Sequence, residues 1–290
     1  MTPEADAHIP SLARVILFRI VIPVVIFLSL VCAFLFFLAR DQVGRATDRD
    51  VQNRIRIHLG QVQGEFATTR IAGVFVRDVL ADWLASGMLD DRLVKDFLRT
   101  TLENNTNLLS AFVILEPGVR GARHRLYAWN RAAAVLRYKE TYDYDPDKMD
   151  FYSASAKRGI RLTDPYFWQY DKPNGTAFHE VTLTIPVSVG GRFAGIIGFD
   201  IALERIKAVC GAITAADGGH VLLVAADATI VSHPRGGVIG KNVSVLDGTY
   251  GENLREQVHE GDPFVSEGHS FVNGREVRIY WEPFIAIGSD

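Results

Sequence analysis

The sequence predicts an α+β protein with an N-terminal transmembrane helix, a long stalk helix and two tandem lobes built on antiparallel sheets. Three observations carry that expectation. Ile20 to Ala39 read IVIPVVIFLSLVCAFLFFLA, twenty residues without a charge. Beyond them, from Val51 to Leu84, apolar residues recur at helical spacing. After about Asn105 the period changes to β-branched and aromatic runs broken by Gly and Pro.

The apolar run is long enough to cross the roughly 30 Å hydrocarbon core at about 1.5 Å per residue. A cleaved signal peptide would have a shorter apolar core, about 7–15 residues, before a small-x-small site. This run ends in LARD, and the bulky Val31 before Cys32 argues against a lipoprotein site. An uncleaved membrane segment is expected over 15–39, after a cytoplasmic N-terminus, 1–14. Arg14 and Arg19 lie on one side and Arg40, Arg45 and Arg49 on the other, so the positive-inside count does not orient the helix. The large C-terminal part is expected outside the cytoplasm at the inner membrane, because long domains translocate largely regardless of charge.

Val51, Ile55, Leu59, Val62, Phe66, Gly73, Val76, Leu80 and Leu84 form one helical stripe. A helix from about Arg40 to Ser86 would be about 70 Å long, and such an element either packs along two lobes or pairs with a second copy of itself. DDRLVKDFLRTTLEN follows as a second helix with Leu93, Phe97 and Leu98 on one face, closing a helical region of 40–104. NLLSAFVILEPG, RHRLYAWNRAAAVLRY and GTAFHEVTLTIPVSVGGRFAGIIGFDI then read as antiparallel strands, with Gly190 to Phe193 as a hairpin turn. They fall in a membrane-distal lobe, 105–204. IALERIKAVCGAIT reads as a connecting helix, and HVLLVAADATIVSHP and EGHSFVNGREVRIYWEPF, with its NGRE turn, as the smaller sheet of a proximal lobe, 205–290. That lobe looks truncated, since the chain stops just after a strand and carries no kinase, cyclase or methyl-accepting region.

The chain has 290 residues and a formal net charge of −3, a balance that implies no nucleic-acid partner. Its two cysteines, Cys32 within the membrane run and Cys210 beyond it, cannot pair, so no disulfide is expected to support the exported part. No phosphate-cradling loop, HExxH or Cys/His ligand spacing occurs, and no cofactor or metal is expected.

YDYDPDKMDFYSASAKRG, the DPYFW after it, TIPVSVGGRFAGIIGFDIAL and HVLLVAADATIVSHPRGGVIGKN resemble, in this order, the double Cache sensor domains of bacterial chemoreceptors, sensor kinases and cyclic-dinucleotide enzymes. The resemblance covers roughly Arg40 to the end. It implies two PAS-like lobes on one long helix, a ligand pocket in the distal lobe, and an extracytoplasmic sensor region without enzymatic activity. Members that bind amino acids carry an Arg two residues before an aromatic-Tyr pair, a downstream Tyr, and an Asp near the hairpin end. The pair resembles Phe151-Tyr152, the Tyr resembles Tyr166 and the Asp resembles Asp200. At the Arg position stands Met149, so the bidentate clamp for a ligand carboxylate is missing.

The stretch from Tyr142 to Trp168 holds seven aromatic residues and five aspartates in 27 positions. On the double Cache fold it becomes a pocket wall, with Tyr142 and Trp168 at its ends. The candidate ligand-binding residues are Tyr144, Phe151, Tyr152, Tyr166, Asp200, Trp129, Arg131 and Thr182. Aromatic faces around a carboxylate suit a cation, so amines, or a ligand whose anion meets Arg131 or Arg137, are the expected chemistry. Asp143, Asp145, Asp147 and Asp150 resemble a calcium loop, but Lys148 and Ala154 stand where that loop needs Gly and Glu. Two rival readings are a periplasmic hydrolase using Asp145 or Asp150 with Asp200, and a dimerisation module without a ligand. Ser232-His233 is expected to be structural, and a parallel homodimer along the stalk is the expected assembly.

Overall fold

The computed structural model describes residues 19, 21–132, 135–140, 145–170, 175–213, 219–270 and 274–287. The chain divides into two units, Met1–Arg54 and Ile55–Asp290. Helix α1, Ile22–Ala85, runs through the boundary. In the first unit its apolar residues, Phe27, Leu28, Phe34 and Phe37 among them, are exposed, and the helix is long and apolar enough to cross a membrane.

In the second unit the stripe read from the sequence is buried: Val62, Phe66, Thr69, Gly73, Val76 and Leu80 face inward. Helix α2, Asp91–Asn104, starts at Asp90, whose side chain accepts from the Arg92 amide. Its buried stripe is Val94, Leu98 and Leu102, while Leu93, expected inside, is exposed. The i, i+4, i+8 row meets the sheet; of the expected face Leu98 is in that row and Phe97 packs against the same core.

The larger lobe is a seven-stranded antiparallel sheet of β1 (Leu108–Leu115), β2 (Arg125–Ala132), β3 (Val135–Lys139), β4 (Arg161–Leu162), β5 (Tyr166–Gln169), β6 (Ala177–Val189) and β7 (Arg192–Ala202), with helix α3 (Asp150–Arg158) between β3 and β4. The order is β3-β2-β1-β7-β6-β4, and β5 also pairs with β6. The expected β6–β7 hairpin is present. Gly190 and Gly191 both have positive φ, 57° and 76°, the two-residue geometry whose twist matches the strands.

Alternation sorts the strands into two faces. Ala111, Val113, Leu183, Ile185, Ile197 and Phe199 belong to the core that includes Val76, Leu80, Leu98 and Leu102 of the helices. Ser110, Phe112, Ile114, Thr182, Gly198 and Asp200 occupy the other face.

Helix α4, Glu204–Ala212, is the expected connector. In the smaller C-terminal lobe the described strands form two separate pairs, β8 (Leu223–Val224) with β9 (Ile230–Ser232) and β10 (Phe264–His269) with β11 (Glu276–Trp281), with helix α5 (Leu254–Glu260) before β10. A small core of Ala228, Ile230, Val238, Val243, Leu246, Tyr250 and Leu254 sits within this lobe. Part of the NGRE turn lies outside the described residues, but the strands on either side pair in hairpin register, His269 opposite Glu276.

A Cβ added at Gly73 would come within 2.5 Å of Ile185 Cδ1 and 2.8 Å of Phe199 Cε2, both fully buried, whereas nothing lies within 4 Å of one added at Gly64. Gly73→Val is therefore expected to destabilise by about 1–3 kcal/mol through overpacking. Gly64→Ala is expected to stabilise by up to about 1 kcal/mol through helix propensity. Thermal unfolding of the two variants would separate the effects, and equal melting temperatures would refute the packing assigned to α1.

Candidate ligand site

Asp200 lies near the end of β7, with Ser110 of β1 on one side and Thr182 of β6 on the other in register. Its carboxylate accepts from Ser110 Oγ at 2.6 Å, Thr182 Oγ1 at 2.7 Å and the Tyr170 hydroxyl at 2.8 Å. The Tyr166 hydroxyl is 2.5 Å from Thr182 Oγ1. A second carboxylate completes the group. Glu180, opposite Tyr166 across β5 and β6, has Oε2 2.9 Å from the same Tyr170 hydroxyl, whose one proton serves either acid in turn.

Both acids are taken out of water: Asp200 is 8% exposed and Glu180 0%. Neither forms an ion pair with a Lys, Arg or His among the described residues. Burial and then the charge of Asp200 push the Glu180 carboxyl up to about 9, against hydrogen bonds from Tyr170 and Tyr166. Burial also raises Asp200, opposed by the hydroxyls of Ser110, Thr182, Tyr170 and Tyr166. Burial and then the two acids raise both tyrosines, which stay neutral donors. Two acceptors on this face have no hydrogen-bond partner, Glu180 Oε1 and Asn130 Oδ1, and Asn130 stands opposite Ser110 on β2. An acidic, hydroxyl-lined cluster without a cation, holding unused acceptors, is complementary to a positively charged donor group.

The structure brings Tyr166, Thr182 and Asp200 of the expected set together. It places Tyr152 elsewhere. The Tyr152 hydroxyl donates to Glu116, and the ring packs with Phe112, Ile114, Leu126 and Ile196 and against His124 and Phe193. Ile114 and Ile196 are four residues along their strands from Ser110 and Asp200, about 13 Å at strand rise. Phe151 meets Phe112 edge to face at 6.1 Å rather than the acidic cluster.

Phe112 divides the two regions because its ring lies over Gly198, where an added Cβ would fall 2.0 Å from the ring. Met149 packs in the Tyr152 cluster, so an apolar side chain fills the position of the missing clamp.

Trp129 and Arg131 are corrected more fully, since strand alternation turns them to the helix-covered face. Trp129 packs against the main core. Arg131 donates to the carbonyls of Leu102, at 2.5 Å, and Leu108, closing the C-terminal turn of α2.

Arg137 does share the face of Asn130, which it opposes on β3, but it is three strands from Asp200, about 14 Å. Trp168 is on the side of β5 that carries Tyr166. Tyr142, Asp143 and Tyr144 lie outside the described residues. Asp145 caps the short 3-10 turn at Pro146–Lys148, and Asp150 sits in the first turn of α3, so neither joins Asp200 as the hydrolase reading required. His233 accepts from the Arg235 amide and lies 3.3 Å from the Tyr250 hydroxyl, a structural tie.

Sequence reasoning missed Ser110, Asn130, Tyr170 and Glu180. Two of them carried a signal. Ser110 is the single polar residue of LLSAFVIL, and Glu180, Thr182 and Thr184 alternate with Val181, Leu183 and Ile185.

Residues 94–208, which span every residue of the cluster, match the family model described as the first PDC sensor domain of methyl-accepting chemotaxis protein-like proteins. The chain is also 27% identical over 103 residues to methyl-accepting chemotaxis protein PscA of Pseudomonas syringae pv. tomato, a match that takes in 35% of this chain and 16% of PscA.

Its fold is that of solved sensor domains. Methyl-accepting chemotaxis protein X aligns with a TM-score of 0.67 at 18% identity, over 81% of this chain and 90% of that one. The periplasmic sensory domain of the Campylobacter jejuni chemoreceptor Tlp1 aligns with a TM-score of 0.59 at 13% identity, over 78% and 86%.

The Glu180 carboxyl ionises near 4.5 in an unfolded chain but is pushed up to about 9 in the folded one. Between those values the folded state holds the extra proton, so this group's contribution to stability falls as pH rises from about 4.5 to 9. Glu180→Gln removes that dependence. It is expected to raise the melting temperature more at pH 8 than at pH 5, by on the order of 2–4 °C for each kcal/mol recovered. A gain that is equal at the two pH values would contradict the raised carboxyl.

Proposed function

We propose that the chain is the ligand-binding, extracytoplasmic part of a bacterial inner-membrane receptor, and that the Asp200 cluster receives the cationic nitrogen of a small molecule. The observation that carries this reading is a buried carboxylate held by three hydroxyls, with no cation of its own, on one face of a sheet whose other face packs on α1 and α2. The PDC match and the membrane-length run of α1 support the receptor setting.

Ligand and helix contacts alternate along the same strands. Asp200 and Thr182 face the site, while their neighbours Phe199, Val181 and Leu183 face the helices. A change in the packing of β6 and β7 is thereby passed to α1, an element with discrete packing arrangements. Two copies pair in parallel along α1 through its exposed Ile57, Ile71 and Phe75. Ile71→Cys is expected to crosslink two full-length chains in a membrane under oxidation, and failure to do so would count against that pairing.

Binding is tested by thermal unfolding of the full chain in lipid nanodiscs with amines, amino acids and organic acids. A ligand at 100 times its Kd adds about 2.7 kcal/mol. Asp200→Asn keeps the shape but removes the charge, and is expected to weaken binding about 10–100-fold, the worth of a charge-assisted hydrogen bond. A ligand bound equally well by this variant would place the site elsewhere.

A further inference from the structure

We propose that Glu180, together with Asp200, binds the ammonium group of the ligand, so that the site selects amines lacking a carboxylate beside the nitrogen and releases a proton when one binds. This rests on the assignment of Asp200 as the cation-binding residue and extends it to a second acid and a ligand class.

Geometry carries the proposal. The Tyr170 hydroxyl stands between the acids, 2.8 Å from Asp200 Oδ2 and 2.9 Å from Glu180 Oε2. Asp200 Oδ1 is occupied by Thr182. The unused acceptor beside the acids is Glu180 Oε1, fully buried; Asn130 Oδ1, also without a partner and in a residue 9% exposed, stands on the same face two strands from Asp200, about 10 Å. A primary ammonium has three donors and no acceptor, the complement of such a set.

An α-amino acid attaches its carboxylate to the carbon that bears the nitrogen and would bring a third negative charge against the two acids. Arg131 is spent on α2, Met149 replaces the clamp, and Arg137 stands three strands away. An amine without that carboxylate meets no such repulsion.

The proton follows from charge. The groups acting on Glu180 are Asp200 and Glu204, both negative, and the neutral hydroxyls of Tyr166 and Tyr170. Without a cation the acids cannot both ionise cheaply, and Glu180 is the protonated member at neutral pH. Arrival of the ammonium ion stabilises both carboxylates, and the Glu180 proton leaves to solvent. Amine affinity is therefore linked to pH. It rises by up to about tenfold per unit between pH 6 and 8, while the ligand itself stays protonated.

The test is isothermal titration of the full chain in nanodiscs with matched pairs, butylamine with norvaline, 1,5-diaminopentane with lysine and tyramine with tyrosine, in phosphate and in HEPES, neither of which carries a primary amine. The expected result is preference for the amine of at least one pair, with release of about one proton per ligand, read from the difference in heat between the buffers. Glu180→Gln, checked for folding by its melting transition, is expected to abolish proton release and to lose at least tenfold in amine affinity while narrowing the preference over the amino acid.

If the parent chain binds an amine and Glu180→Gln binds it equally well with the same proton release, Glu180 is not a ligand residue and this proposal falls, while the Asp200 assignment stands. Preference of the parent chain for the amino acids overturns the ligand class in the same way. If no compound binds, or Asp200→Asn binds like the parent, the underlying assignment fails and takes this proposal with it.

Discussion

Strands β1, β6 and β7 are covered on both faces, and that constraint shapes most of the larger lobe. A strand with one wet face tolerates polar residues there at little cost. Here the face opposite the helices is also closed, so Ser110, Thr182, Glu180 and Asp200 must satisfy one another. They do so through hydroxyls supplied by neighbouring strands and by Tyr166 and Tyr170, not through a basic residue. The outcome is a cluster rich in acceptors and in latent negative charge.

That arrangement costs stability that a sheet could avoid. Apolar side chains at Glu180 and Asp200 would pack without desolvating a carboxyl, as they do one residue away at Val181 and Phe199. Within the cluster Glu180 Oε1 remains an acceptor that no donor among the described residues uses. The cluster also lies within the stretch that matches the PDC family. The same strands carry the contacts to α1 in the second unit.

The aromatic stretch from Tyr142 to Trp168 shows where reading the sequence stops. Its richness pointed to a wall around one pocket, yet the described part serves two places. Tyr166 reaches the acids, while Phe151 and Tyr152 close an apolar cluster at the other end of the face, with Phe112 lying over Gly198 between them. Residue type was read correctly and location was not, because α3 and β5 reach the face at different heights. Trp129 and Arg131 were misplaced for a simpler reason: parity along β2 depends on its register with β1, and that register is not a local property. Glu180 could have been found, since its alternation with Val181 is visible in HEVTLT, but an acid in a strand reads as solvent-facing until the opposite layer is known.

By itself the sequence determined the features set by short-range periodicity and local chemistry. The charge-free run, the stripe on α1, the alternation of β6 and β7 and the Gly190-Gly191 turn all depend on residues within a few positions of each other. Only the tertiary structure decided which side chains converge. Ser110 and Asp200 are hydrogen-bonded across 90 residues of chain, and Thr182 and Tyr170 reach the same carboxylate from β6 and from the end of β5. Contacts of that range are set by strand order and register, which arise from the packing of two whole layers and leave no trace in the spacing of any single segment.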